Sequence, residues 1–250
     1  MIEVMMEVNK IYNMDCLEGM KTIPNGSVDM ILCDLPYGTT RCNWDNIIPF
    51  EPLWDQYNRV IKENGAIVLF GSEPFSSMLR LSNLKNYKYD WIWDKVKGTG
   101  FLNARKQPMR NHEIISVFYK KQCNYNPQKT QGHKLKKAYK GKHLQTNVYG
   151  EMKNECLYES TERYPRSIQV FSTDTQNEPL HPTQKPVDLC EFLIKTYTNP
   201  EELVLDNCGG SGTTAIACLN VGRNYILFEK EKNYCEVAEK RIMNIKRARQ

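Results

Sequence analysis

Apolar and polar positions along the first half of the chain fall into two rhythms, short buried runs and longer amphipathic stretches. Lys10–Asn13 reads as a short strand. Val28-Asp29-Met30-Ile31-Leu32-Cys33 is an almost continuous apolar run of strand length, the pattern of a parallel strand covered on both faces. Pro52–Lys62 sets Leu53, Trp54, Tyr57, Val60 and Ile61 at helical spacing, and Asn64-Gly65 ends that helix. Ala66–Phe70 predicts a second buried strand, and Pro74 suits the first position of a helix over Phe75–Leu84. Tyr87–Trp93 and Glu113–Tyr119 alternate or run apolar as strands do.

From Lys120 to Leu180 the rhythm is lost in a Lys-, Gln-, Asn-, Thr- and Tyr-rich stretch. It is too long for a structureless loop in a compact domain and reads as an inserted module. After Pro186 the rhythm returns: a helix over Val187–Tyr197, a strand over Leu203–Asp206, a helix over Gly212–Leu219 and a strand over Tyr225–Glu229. An amphipathic helix over Glu231–Lys246 closes the chain. No internal repeat is evident. The alternation predicts an α/β fold, a doubly wound parallel sheet with helices on both faces.

Composition fits this picture. Of 250 residues 40% are apolar, a little under the usual share, as expected when a core is diluted by one polar stretch. No apolar run exceeds the five of Ala66–Phe70, so no membrane partner is expected, and the early acids of Met1–Glu7 do not make a secretory leader. Nine cysteines without a C-x-x-C pair predict reduced thiols, no zinc ribbon and a cytoplasmic location. The net charge of +5 is unevenly spread. Residues 95–142 hold 13 Lys or Arg against Glu113 alone, a charge of +12 that leaves −7 elsewhere. Such a split suits a polyanion partner, and equally a solvated lysine-rich loop.

Two loops carry candidate chemistry. Asp206-Asn207-Cys208-Gly209-Gly210-Ser211-Gly212-Thr213-Thr214 joins a strand end to a helix start, where glycines admit a ligand to the backbone and free N–H groups face an anion. A triphosphate loop would need a Gly-Lys pair that is missing. A dinucleotide site and an S-adenosylmethionine site both remain open. Glu229, ending the next strand 23 residues after Asp206, can accept from a ribose in either. A plain glycine turn with a strand-end acid remains open too.

At the end of the Val28–Cys33 strand, Asp34-Leu35-Pro36-Tyr37 offers a carboxylate, a rigid backbone carbonyl and an aromatic ring. The exocyclic amino group of a base is a poor nucleophile because its lone pair is delocalised into the ring. Two acceptors, the Asp34 carboxylate and the carbonyl near Leu35-Pro36, favour a tetrahedral nitrogen and free that lone pair toward a methyl donor. Tyr37 offers a stacking face for a base that has left its helix. Alone, this loop would read as a strand-terminal turn with a packing Tyr.

Together the loops resemble those of amino-methylating DNA methyltransferases, in the permuted order called the beta group. The D/N/S-P-P-Y/F/W motif of that family is matched at Asp34–Tyr37, and its D-P-F-x-G-S-G-T-T loop at Asp206–Thr214. Its H-P-T-Q-K-P block is matched residue for residue at His181–Pro186. Gly222–Glu229 and Asn111-His112-Glu113 supply two further matches, in the family's order, from residue 13 to residue 241. The resemblance implies a circularly permuted, Rossmann-like adenosylmethionine fold. Residues 1–119 would be its catalytic half, 120–180 an inserted target-recognition region and 181–250 the cofactor half.

It further implies that Asp34, Leu35, Pro36 and Tyr37 bind and activate the target base. Gly210, Ser211, Gly212 and Thr213, with Asp206, would hold the methionine part of S-adenosylmethionine, with Lys185 near its carboxylate. Glu229 would hold the ribose and Asp15 the adenine, although Asp15 also suits a helix N-cap. Two departures stand out: Leu35 replaces the family's first Pro, and Asn207-Cys208 replaces Pro-Phe. In the polar region, lysines interleaved with Tyr125, Tyr139, Tyr149 and Tyr158 suit phosphate contact and base stacking.

The expectation is a metal-free enzyme of duplex DNA that flips an adenine and methylates N6 by in-line attack. Cytosine N4 is the alternative, followed by RNA or protein-glutamine amino groups. Carbon-5 methylation would need a Pro-Cys that the chain lacks. A nicotinamide dehydrogenase would leave Asp34–Tyr37 without a role, and a non-catalytic DNA-binding module would use the basic segment alone. A homodimer and a cognate restriction enzyme are partners that the resemblance allows.

Overall fold

The computed structural model describes residues 6–39, 42, 45–138, 158–173 and 184–248. The chain divides into two compact units, one of residues 1–126 and 167–250, the other Pro127–Arg166.

The larger unit is built on one eight-stranded sheet. In chain order its elements are β1 (Lys10–Asn13), α1 (Cys16–Met20), β2 (Val28–Asp34), α2 (Phe50–Val60), β3 (Ile61–Gly71), α3 (Phe75–Ser82), β4 (Tyr87–Thr99) and β5 (Arg110–Phe118). The smaller unit contributes β6 (Lys136–Ala138) and β7 (Tyr158–Ser160). The larger unit resumes with β8 (Ile168–Val170), α4 (Val187–Tyr197), β9 (Leu203–Asp206), α5 (Thr213–Val221), β10 (Asn224–Glu229) and α6 (Lys232–Ala248). The strand order is β1-β10-β9-β2-β3-β5-β4-β8.

Why β2 reads as an unbroken apolar run is plain from its neighbours. Met30 and Leu32 pack with α4, α5 and α6 on one face of the sheet. Ile31 and Cys33 pack with α1, α2 and α3 on the other. Asp29, the polar residue inside this run, is buried but satisfied: it accepts from Lys62 Nζ at 2.6 Å and from the Leu203 amide at 3.0 Å, tying β2 to β3 and β9.

The sheet departs from the all-parallel expectation at one strand. β5 runs antiparallel to both β3 and β4. No α-helix separates β4 from β5, so the chain turns back on itself, and only a hairpin-type connection fits so short a link. α2 also ends sooner than its spacing predicts. Ile61 takes extended backbone (φ −71°, ψ 139°) and starts β3, so its apolar side chain serves the sheet instead of the helix.

The inserted unit is narrower than 120–180. Cys123 is buried in the main core, Phe171 packs against it, and β8 pairs in parallel with β4. Within Pro127–Arg166, β6 and β7 form an antiparallel pair extended by a Thr130–Arg163 bridge. Lys129 Nζ and Gln131 Nε2 both reach Glu162, at 2.9 and 2.6 Å. Tyr139 and Tyr149, expected to face nucleic acid, lie outside the described residues, as do His181, Pro182 and Thr183. No helix among the described residues is long and apolar enough to cross a membrane.

Candidate active site

The C-terminal ends of β2, β9 and β10 open into one cavity of about 820 Å³ in the larger unit. Ligands in open α/β sheets collect at this edge because the loops there, unlike the packed strands, are free to vary. Asp15, Asp34, Leu35, Pro36, Tyr37, Lys185, Asp206, Gly210, Ser211, Thr213 and Glu229 all line it. Gly212 is the one candidate that does not.

At the β2 end, Asp34 is held from two sides. Its Oδ1 accepts from the Tyr37 hydroxyl at 2.5 Å and its Oδ2 from Lys185 Nζ at 2.6 Å. Lys185 also stands 3.3 Å from Glu113 Oε2, while Lys95 Nζ donates to Glu113 Oε1 at 3.2 Å. The result is a chain of alternating charge, Asp34–Lys185–Glu113–Lys95, with its lysines buried and its acids half-buried. Burial raises the Asp34 pKa; Lys185 opposes the shift and Glu113 adds to it. Glu113 is lowered, because Lys185 and Lys95 together outweigh its burial. Burial alone would lower Lys185, but Asp34 and Glu113 prevail and keep it charged. The Tyr37 phenol is pushed up by burial and by Asp34, so it stays a donor. Its ring stacks on Phe75, with centroids 5.0 Å apart and planes at 29°.

The family resemblance sets Lys185 beside a cofactor carboxylate. In the structure its ammonium pairs with Asp34 and Glu113, which ties Lys185 to the D-L-P-Y loop. Sequence reasoning assigns Glu113 no role. It carries a signal all the same, being the sole acid among 13 basic residues of the 95–142 window.

The β9–α5 loop is shaped from within. Asp206 Oδ1 accepts from the Cys208 amide at 3.0 Å and Oδ2 from the Thr214 hydroxyl at 2.6 Å, so this carboxylate braces the turn. Its pKa is pushed up to about 6 by burial, against those hydrogen bonds. Gly212 takes φ +80° at the N-cap of α5, and a Cβ there would meet that of Ala238 at 2.8 Å, so both backbone and α6 packing require glycine. Arg241 of α6 donates to the Ser211 carbonyl at 2.6 Å and to its hydroxyl at 2.9 Å, a brace with no signal in the sequence pattern. Asn207, in place of Pro, accepts from the Tyr57 hydroxyl at 2.5 Å.

Glu229 accepts from the Gly210 amide at 2.7 Å and the Glu231 amide at 2.8 Å. Its carboxylate also lines the cavity. Asp15 is the N-cap of α1, accepting from the Leu17 amide at 2.9 Å, and lines the cavity as well. Cys33 is fully buried, and burial pushes its thiol up to about 12, which makes it an inert core residue. No cluster of metal-ligating side chains occurs among the described residues.

A cavity that joins an acceptor-bearing D-L-P-Y loop to a glycine turn and a strand-end acid suits a nucleoside-dependent group-transfer enzyme. Comparison with known proteins gives the class its family. The family model described as DNA methylase, covering N6 and N4 methyltransferases, matches residues 28–240, and the chain belongs to that family. It is an amino-methyltransferase of DNA. Over 96% of its length it is 30% identical to the Type II methyltransferase M.HinfI of Haemophilus influenzae, covering 69% of that protein. Over 94% it is 29% identical to the Type II methyltransferase M1.MboII of Moraxella bovis, covering 96% of that protein. The solved M1.HpyAVI–SAM complex superposes with a TM-score of 0.64 at 27% identity, covering 93% of this chain and 98% of that one. The cytosine-N4-specific PvuII DNA methyltransferase superposes with a TM-score of 0.65 over 94% of this chain and 90% of that one; at 17% identity this is a likeness of fold.

Proposed function

We propose that the enzyme transfers a methyl group from S-adenosylmethionine to N6 of an adenine flipped out of duplex DNA. The observation that carries this reading is the Asp34 carboxylate, oriented by Lys185 and Tyr37 at the mouth of the β2 loop. With both oxygens fixed, it can accept one amino hydrogen of the base while the Leu35 carbonyl accepts the other. That arrangement binds the tetrahedral nitrogen of the transition state better than the planar nitrogen of the ground state. Burial, which raises the Asp34 pKa, also fits it to take the proton that the methylated nitrogen must lose. Tyr37, backed by Phe75, stacks the base.

The cavity fits the cofactor. Glu229 and Asp15 offer carboxylate acceptors for a ribose and an adenine, and the 209–213 turn admits a methionine carboxylate to its backbone. When bound, the cofactor supplies an electrophilic sulfonium methyl; the chain's residues contribute position, desolvation and charge. In this reading residues 1–119 are the catalytic half and 181–250 the cofactor half, a permuted order, and the inserted region reads the target sequence. Tritiated S-adenosylmethionine and duplex DNA, followed by nucleoside analysis, test it. Label in N6-methyladenine is expected; label in N4-methylcytosine would replace the adenine reading, and label in protein or RNA alone would remove the DNA substrate. A homodimer and a cognate restriction enzyme belong to the same reading, checked by sedimentation and by nuclease assay of neighbouring gene products.

A further inference from the structure

The connection between β4 and β5 carries two large apolar side chains that no described residue covers. Phe101 is 77% exposed and Leu102 97% exposed, the latter the most exposed large apolar residue among those described. They do not hang on a loose loop. Asn103 N bonds to the Gly100 carbonyl at 2.9 Å, Ala104 N to that of Phe101 at 3.0 Å and Lys106 N to that of Asn103 at 2.8 Å, an ordered turn. Its base is clamped where the Thr99 hydroxyl donates to the Arg110 carbonyl at 3.0 Å and Arg110 donates to Ser72 at 3.2 Å.

The strand leading in is bent out of register. β4 takes five steps, from Asp94 to Thr99, where β5 takes two, from His112 to Arg110. Val96 sits at φ +67°, a conformation costly for a β-branched residue, and Gly100 at φ +89° turns the tip. Lys97, Gly98 and Thr99, the stem of the same connection, line the catalytic cavity. Lys97, Arg105 and Lys106 around the tip are exposed and make no ion pair among the described residues.

Two apolar side chains held out on a strained, braced turn, ringed by unpaired cations and rooted in the wall of the cavity, match one kind of occupant. We propose that Phe101 and Leu102 form a wedge that enters the DNA stack beside the target base, with Lys97, Arg105 and Lys106 on the flanking phosphates. Apolar side chains that insert between base steps hold open the gap that an extruded nucleotide leaves. The inference deepens the proposed function and rests on it, committing the turn to duplex DNA.

The test compares wild type with F101A/L102A on two duplexes built around a target site mapped by sequencing DNA that the wild type has methylated. In one the target base is paired; in the other it faces an abasic site, so that extrusion costs little. The variant should lose roughly tenfold or more of kcat/KM on the paired duplex and match wild type on the abasic one. With 2-aminopurine at the target position, wild type should raise the fluorescence on binding and the variant should not. Equal loss on both duplexes, or no loss on either, overturns the wedge while leaving the DNA methyltransferase reading intact. A wild type that labels neither duplex overturns both.

Discussion

Asp34 works only as well as its neighbours set its charge. Its pKa is raised by burial and by Glu113 and lowered by Lys185, and in the proposed reaction its ionised form receives the amino hydrogen. Asp34→Asn should therefore lose roughly 100- to 10,000-fold in kcat while binding cofactor as wild type does, measured by single-turnover transfer and calorimetry. Glu113→Gln and Lys185→Met should move the acidic limb of the kcat profile in opposite directions. Removing the like charge lets Asp34 ionise at lower pH, and removing the ammonium delays ionisation to higher pH. If both limbs stay where wild type has them, Asp34 is not the titrating group. Asp206 supplies a stability counterpart. Its native carboxyl, at about 6, keeps its proton to higher pH than an unfolded Asp, so the native state binds more protons between the two values and loses stability as pH rises through that window. Asp206→Asn removes this dependence. Relative to wild type, it should gain up to about 3 kcal/mol in urea unfolding between about pH 4.5 and about pH 7.5, and an unchanged offset would refute the assignment.

Elements are legible in the sequence where burial sets the pattern and illegible where pairing does. α4 and β9 begin and end where their periodicity places them, at Val187–Tyr197 and Leu203–Asp206, because an apolar face or run specifies each. The direction of β5 cannot be read, since reversal changes which backbone groups it meets and not which of its side chains are buried. β8 is hidden in a polar stretch because its Ile168 and Val170 are 59% and 63% exposed; it is held by backbone bonds to β4 that carry no side-chain signature. The β9–α5 loop is legible as a glycine turn, but its supports are not: Arg241 and Tyr57 lie 30 and 150 residues from the groups they hold. The α5 N-cap tests how far that turn depends on α6. Gly212→Ala must take φ +80° with a Cβ 2.8 Å from that of Ala238, which should cost roughly 1–3 kcal/mol of stability and weaken cofactor binding. Adding Ala238→Gly relieves the contact but not the backbone, so only partial recovery is expected in urea unfolding. Full recovery would assign the cost to packing alone, and none to conformation.

At the scale of the whole molecule, charge follows the division into units more closely than it follows the 95–142 window. Of 34 basic and 29 acidic residues, nine and four lie in Pro127–Arg166, leaving 25 of each sign in the larger unit. The entire net charge of +5 thus belongs to a 40-residue insertion, while the larger unit is neutral in sum and carries Lys97, Arg105 and Lys106 in its β4–β5 turn. A folding unit gains nothing in stability from such an excess, which only repels itself; an excess of this kind acts on a partner, through the counterions that a polyanion gives up. Lys134 and Lys136 are exposed and form no ion pair among the described residues, unlike Lys137, which pairs with Glu159 at 2.9 Å. In K134Q/K136Q the slope of log affinity for duplex DNA against log salt should flatten by up to about 1.8, roughly 0.9 for each phosphate that a lysine no longer neutralises. Cofactor affinity and kcat at saturating DNA should stay at the wild-type level, since neither lysine lines the candidate active-site cavity. An unchanged slope would make these lysines a solvated surface and shift the phosphate contacts to the turn at Lys97, Arg105 and Lys106. The same titration on K97Q/R105Q/K106Q then reads that alternative directly.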